Sequence, residues 1–542
     1  MHKQEKNTTN LTFKLMKRFM KRALLVLMCV TLLPLTASAD AVEIDGIWYN
    51  LVGKAKTAEV TRNPNVDAYT ECYFGDITIP SKVTYESIQY DVTSIGNSAF
   101  SKTFDSYGLT SIQIPNSVTT IDGCAFQNCK GLTSITIPNS VITIGGSAFY
   151  GCSGLTSISI PENITSIEGD TFYECSGLTS ITIPEGVTDI GSMAFYKCTG
   201  LTSIDIPNSV TTMDGVYVFY GCSSLTSIKL PNNISKIGGY SFSGCTNLTS
   251  ITIPNSVTQI GTEAFKGCSN LRHVTIGTNL WNVASKSFSN CDELTDVYCF
   301  AESVPTTTSN AFDNSYVNLA RLHVPSASIS SYSSSAPWSG FGTIDAITSE
   351  DISIGDLGIG TFCGSNPLDL SGTEDVKAYV VSSYESATGQ VTLTRTYYIP
   401  PFTGVVVKGN KGVHTIPAGV GQPVYPNMMK GVTTNTALAK VNGDYTNYVL
   451  ANKGGNLGFY AVSDGSTLGA GKAYLPLPTA DLPSSSARGL ILNFDDEDVT
   501  AINSAKIQQP VENGQYYDLQ GRRVDNPTSG LYIVNGKKVI IK

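Results

Sequence analysis

The sequence predicts a mainly β protein: a solenoid of 23-residue coils with parallel strands, then an all-β sandwich or barrel-like domain, then a short β-hairpin tail. Three observations predict it. A ten-residue phrase, LTSITIPNSV, stands at 132–141 and again at 248–257, with LTSITIPEGV at 178–187. Its leucine recurs at Leu109, Leu132, Leu155, Leu178, Leu201, Leu225, Leu248, Leu271 and Leu294, every 23 residues with one step of 24. After about residue 349 the repeat stops, and short β-type runs separated by turn signals replace it. Fixed-period self-similarity of this length is the signature of stacked supersecondary units. Regularly spaced short strands between turns indicate a sandwich or barrel.

The N-terminus comes first. MKRFMKR (16–22) is a basic stretch, ALLVLMCVTLLPLT (23–36) an apolar run, and Ala37-Ser38-Ala39 an A-x-A site. This is the layout of a secretory signal with cleavage after Ala39, the apolar run being short for a bilayer span. Either Met1 or Met16 serves as a start. Without residues 1–39 the chain holds 28 basic and 43 acidic residues, a net charge of −15. Such a surface repels nucleic acid and anionic membrane. No second apolar stretch reaches transmembrane length.

Residues 40–76, including EIDGIWYNLVGKAKTAEVTRNP, are expected to form a β cap covering the first coil, since a solenoid end needs a polar-faced cover. The solenoid is placed at 77–347, opening with the degenerate copies ITIP (77–80) and VTSIGNSAF (92–100). Its pattern is L-T-S-I-x-I-P-x-x-V-x-x-I-x-x-x-A-F-x-x-C. Leu132, Ile135 and Ile137 cannot bury themselves within one coil and must stack on Leu155, Ile158 and Ile160. Ser134 and Thr136 alternate with the isoleucines and face outward. Pro138 ends the strand, because it has no N–H for the ladder. Val141 and Ile144 return inward. A phenylalanine in every coil, from Phe100 to Phe312, is expected to form a stacked aromatic core. Eight cysteines, from Cys129 to Cys291, share one repeat position and read as a buried column of free thiols rather than disulfides or zinc ligands.

This pattern closely resembles the bacterial BspA-like leucine-rich repeat of surface and secreted proteins, over roughly residues 77–345. The resemblance implies a curved parallel-β solenoid and adhesion to host matrix proteins. It also marks SSYSSSAPWSGFGTI (330–344) as a closing segment, with Trp338 capping the last coil.

The accessory domain is placed at 348–499, with strand runs at KAYVV, VTLTRTYYI, TGVVVKG, NYVLA, LGFYAV, KAYLPL and GLILNF. FDDED (494–498) lacks calcium-ligand spacing and reads as linker. Residues 500–542 form a linker and tail. YYDLQGRRVDNPTSGLYIVNGKKVIIK (516–542) carries Asn535-Gly536 as a hairpin turn. It resembles the C-terminal sorting domain of type IX secretion in Bacteroidetes, which implies that export machinery recognises it. An ordinary terminal hairpin is the other reading.

No catalytic motif emerges. His273, His323 and His414 lie outside HExxH, no GxSxG occurs, and GSTLGAGKA (465–473) departs from a phosphate loop at Ser466 and Ala473. No cofactor or metal is expected. The favoured function is a non-catalytic, secreted or cell-surface recognition protein; its partners would be proteins or glycans of a host or neighbouring cell. The alternative is a stalk presenting the domain at 349–499. The residue four places after each leucine is bland in early coils and informative later. Asp205, Lys229, Arg272, His273, Asp296 and Tyr298 are the expected partner face, on the strand side of the C-terminal half.

Overall fold

The computed structural model describes residues 41–65, 73–101, 108–453, 455–482 and 489–495, together with the backbone of short strands between 516 and 541. The signal segment lies outside the described residues. The chain divides into two compact units. One comprises the residues up to Ser349 with Asn366–Asp369 and Pro417–Tyr425; the other comprises Glu350–Ser365, Leu370–Ile416 and the residues from Pro426.

The first unit is the parallel solenoid. Strands of successive coils pair in parallel with identical letters opposite each other: Ile135 beside Ile158, and Ile158 beside Ile181. The alternation follows the period-2 rule, with Ile135 buried between exposed Ser134 and Thr136. The second short segment also pairs in parallel, Ile144 beside Ile121. In the 24-residue coil, Met213 takes the buried isoleucine position, and the extra residue lies between it and Phe219. Only an isolated bridge from Asp189 to Thr212 marks the second ladder there.

The core is a set of columns. Phe100 to Phe312 stack ring on ring, with centroids 5.1–5.7 Å apart. From Phe126 to Phe288 each turn around the ring has two residues in the left-handed region: Met193 (φ 58°) and Lys197 (φ 52°) flank Phe195, and Gly151 (φ 70°) takes the second place beside Phe149. The glycines after the second segment let backbones touch. A Cβ on Gly145 would meet the Gly123 nitrogen at 2.4 Å.

Both ends of the phenyl column are closed by other aromatics. Tyr73 lies 4.8 Å from Phe100, and its hydroxyl donates to the Thr61 carbonyl of the lead-in sheet. That sheet is the antiparallel set Ala41–Ile44, Ile47–Val52 and Thr57–Thr61, whose last strand continues in parallel into the solenoid ladder. At the other end, Trp338 and Phe341 meet Phe312 edge-on. Trp338 is fully buried, and its indole N–H donates to Thr307 Oγ1 at 2.9 Å.

The repeated cysteines are buried free thiols. Each donates to the carbonyl of the preceding coil's phenylalanine, as Cys152 does to Phe126 at 3.0 Å. The position therefore needs a small apolar residue that also supplies a weak donor.

The second unit is all-β. A five-stranded sheet runs in the order Ile359–Phe362, Val405–Gly409, Val376–Glu385, Gln390–Thr396, Ile491–Phe494. A second contains Lys430–Val432, Lys472–Pro478 and Tyr445–Lys453. Val381, Leu393 and Val406 of the first share one core with Tyr448, Leu475 and Leu477 of the second, as a sandwich requires. Further on, Gly530–Val534 and Lys537–Ile541 pair antiparallel. Asn535 and Gly536 themselves, and most of FDDED, lie outside the described residues.

Candidate functional site

The outward threonine at the second position of each phrase is tied to the fold. Thr156 Oγ1 donates to the Thr133 carbonyl at 3.2 Å, and Thr179 to Thr156 at 3.3 Å. The hydroxyl ladder satisfies backbone carbonyls along the coil edge, which is why the letter recurs.

Asp205, Lys229, His273, Asp296 and Tyr298 stand at alternate positions of the strands, and Arg272 immediately precedes the strand His273–Ile276, at the position of the threonine ladder. Asp205 and Lys229 are directly opposite each other on adjacent strands. Burial raises the Asp205 pKa, and Lys229 opposes that rise. Arg272 is exposed and pairs with Glu293 at 3.2 Å. His273, half-buried, sits beside Asp296, 3.6 Å from Nδ1 to the carboxylate. His323 of the next coil reaches the other Asp296 oxygen at 3.1 Å. One carboxylate is thus held between two imidazoles. Burial pushes the Asp296 pKa up, but hydrogen bonds from His273, His323 and Thr295 outweigh it and hold it below the usual carboxylate range.

Two of the expected anchors need correction. Tyr298 and Asp296 were placed on an open face by strand alternation. Tyr298 is fully buried and Asp296 only 8% exposed. His323 lies flat against Tyr298, centroids 4.3 Å apart, so neither residue is an open anchor. Thr252 and Thr275 of the same face are also buried. The structure brings His273, Asp296 and Tyr298 together around His323. It joins Asp205 to Lys229 as a separate pair and leaves Arg272 outermost.

Part of this face has an occupant from the chain itself. In the first unit, Pro417–Tyr425 pairs with Asn366–Asp369, Gly419 N–H donating to the Pro367 carbonyl at 3.0 Å. Tyr425 stands near Ser250 and Asp205 of the strand face. A cavity of about 280 Å³ lies between Asn232, Pro254–Ser256 and Val420–Gln422. Gln422's amide atoms and the Ser256 hydroxyl are buried without a partner among the described residues. Nothing in the local sequence signals this tongue, since it comes from a stretch more than 150 residues beyond the strands it covers.

A second feature lies beside the phenyl column. The residue after the phenylalanine is tyrosine in four successive coils. Tyr150, Tyr173, Tyr196 and Tyr220 stack at 4.3, 4.4 and 4.9 Å. The signal was visible as A-F-Y, T-F-Y or V-F-Y but lay at a position the repeat pattern leaves free. Among the described residues, no cluster of three His, Cys, Asp or Glu is placed to hold a metal ion. No helix there is long and apolar enough to cross a membrane.

The pattern of the BspA type leucine-rich repeat region matches residues 93–216 and 212–336. Among solved structures the chain is similar to a leucine-rich cell surface protein of Faecalibacterium prausnitzii A2-165: 25% identity, 57% of this chain and 96% of that one, TM-score 0.35. It is similar to a leucine-rich repeat protein of Bacteroides ovatus ATCC 8483: 24% identity, 56% and 99% coverage, TM-score 0.30. It is also similar to the pneumococcal vaccine antigen PcpA: 19% identity, 56% and 98% coverage, TM-score 0.28. No curated protein matches the chain.

Proposed function

We propose that this chain, whose residues 93–336 carry BspA-type leucine-rich repeats, is an exported, non-catalytic recognition protein at the cell surface or in the medium. Its partner is a protein or glycan of a host or neighbouring cell, bound on the strand face of the C-terminal half. One observation carries the reading. Core letters are uniform from coil to coil, while Asp205, Lys229 and His273 replace hydroxyl residues on that face and Arg272 replaces one at its edge. A repeat whose core is already satisfied has no folding need for such changes. The signal at 16–39 and the tail at 516–542 support export, the tail as an address for secretion machinery.

The experiment is to screen the mature chain against immobilised matrix proteins and a glycan array, then repeat the hits with Lys229→Ala plus Arg272→Ala. Loss of binding supports the strand face. The burial of Asp296 and Tyr298 favours a second reading, in which the solenoid is a stalk and the sandwich binds. Undiminished binding by that double variant selects it.

A further inference from the structure

We infer that the tyrosine ladder is a self-association surface, on which a second copy of this chain docks antiparallel. The inference is independent of the ligand reading above.

The repeat supplies its own control. In other coils the position after the phenylalanine holds Ser101, Gln127, Ser243, Lys266, Ser289 or Asp313. Packing therefore does not demand an aromatic there. Four consecutive tyrosines are an addition to the fold. They are half-buried. Because successive rings are parallel within 4–8°, the faces inside the stack are covered by its own rings; Tyr217 packs edge-on against Tyr196 and Tyr220, and the remaining edges and hydroxyls are what the stack presents outward. Stacking a sugar on a ring face is blocked within the ladder. Edges and phenol hydroxyls, with the glycines and serines around them, have the composition of protein-binding surfaces.

The charges flanking the ladder choose the partner. Glu174 follows Tyr173 and Lys197 follows Tyr196, on the two central rungs. Both are partly exposed and lie 3.4 Å apart. Consider a two-fold axis in the interface, perpendicular to the solenoid and midway between these rungs. It sets Tyr173 opposite Tyr196 of the second copy and Tyr150 opposite Tyr220. It also sets Glu174 opposite Lys197 of the second copy, twice. A ladder that is self-complementary in spacing and in charge meets the condition for an isologous contact, in which residue i meets j and j meets i. The rung spacing of 4.3–4.9 Å is matched in register by another such ladder. The tyrosines supply the contact area and the exposed charges chiefly set register, since exposed ion pairs contribute little.

Sedimentation of the full mature chain over a micromolar concentration series tests this. We expect a concentration-dependent dimer. Tyr173→Ser with Tyr196→Ser, using the residue other coils tolerate, should weaken it at least tenfold while leaving circular dichroism and the melting transition in place. Glu174→Lys alone should weaken it, and Glu174→Lys with Lys197→Glu should restore it. A monomer at every concentration, a dimer indifferent to the tyrosine change, or a charge swap that fails to restore association would overturn the proposal.

Discussion

The thiol of Cys175 donates to the main-chain carbonyl of Phe149 one coil earlier, 3.1 Å away. The same bond recurs from Cys198 to Phe172 and from Cys222 to Phe195. The thiol column and the phenyl column are thus one hydrogen-bonded unit, closed to solvent.

Alkaline instability follows from it. Burial raises the Cys175, Cys222 and Cys268 thiols to about 12, from an ordinary value near 9. Their folded-state pKa lies above the unfolded one, so the stabilisation is complete below about pH 9 and is lost as pH rises toward 12. Each contributes a slope on the order of 1.4 kcal/mol per pH unit in that window. Denaturant melts at pH 6, 7.5 and 10.5 should show nearly constant stability between the first two and a steep fall by the third. A flat profile would contradict the buried thiol column.

The phenyl column should behave as core. Phe195→Ala removes a fully buried ring and is expected to cost about 3–5 kcal/mol, as other large-to-small core changes do. Chemical denaturation of the solenoid reads this directly. An unchanged midpoint would show that the stacked rings do not hold the coils together.

The acid limb reports on the paired histidines. The Asp296 pKa is held below that of an unfolded aspartate. Its contribution is therefore present above about pH 4 and is lost as pH falls through the folded value. Asp296→Asn should lower stability at pH 6 and flatten the slope below pH 4. His323→Ala should do part of the same, because it removes the bond at 3.1 Å and uncovers Tyr298. An acid limb identical to the parent in both variants would refute the assignment.

Trp338 should act only locally. Solenoid coils contact mainly their neighbours, so Trp338→Ala is expected to speed amide exchange in residues 294–324 while leaving the Leu132 and Leu155 coils protected. Uniform loss of protection would contradict an end cap.

The period made most of the first unit legible. Once Leu132, Ile135, Phe149 and Cys152 are known to recur, stacking follows from what one coil cannot bury alone, and Trp338 stands where the column must end. The Cys–Phe bond was not legible, because the pattern gives the position and not the acceptor. Tyr298 misled because alternation sets which way a side chain points but not what lies over it. His323, one coil later, stacks on the ring and contributes to that burial. The tongue at 417–425 is non-local, and no local period can announce it. Tyr150 to Tyr220 were readable in principle, at a position where the repeat tolerates serine, lysine and aspartate.

The central claim is that the solenoid's uniform letters serve the fold and its variable strand letters serve recognition. Binding titrations of the mature chain, with a ligand identified by the matrix-protein and glycan screen, test it most directly. Lys229→Ala with Arg272→Ala should weaken binding at least tenfold, and Thr133→Ala with Thr156→Ala should leave it within a factor of two. Equal effects from the two pairs, or none from the first, would contradict it.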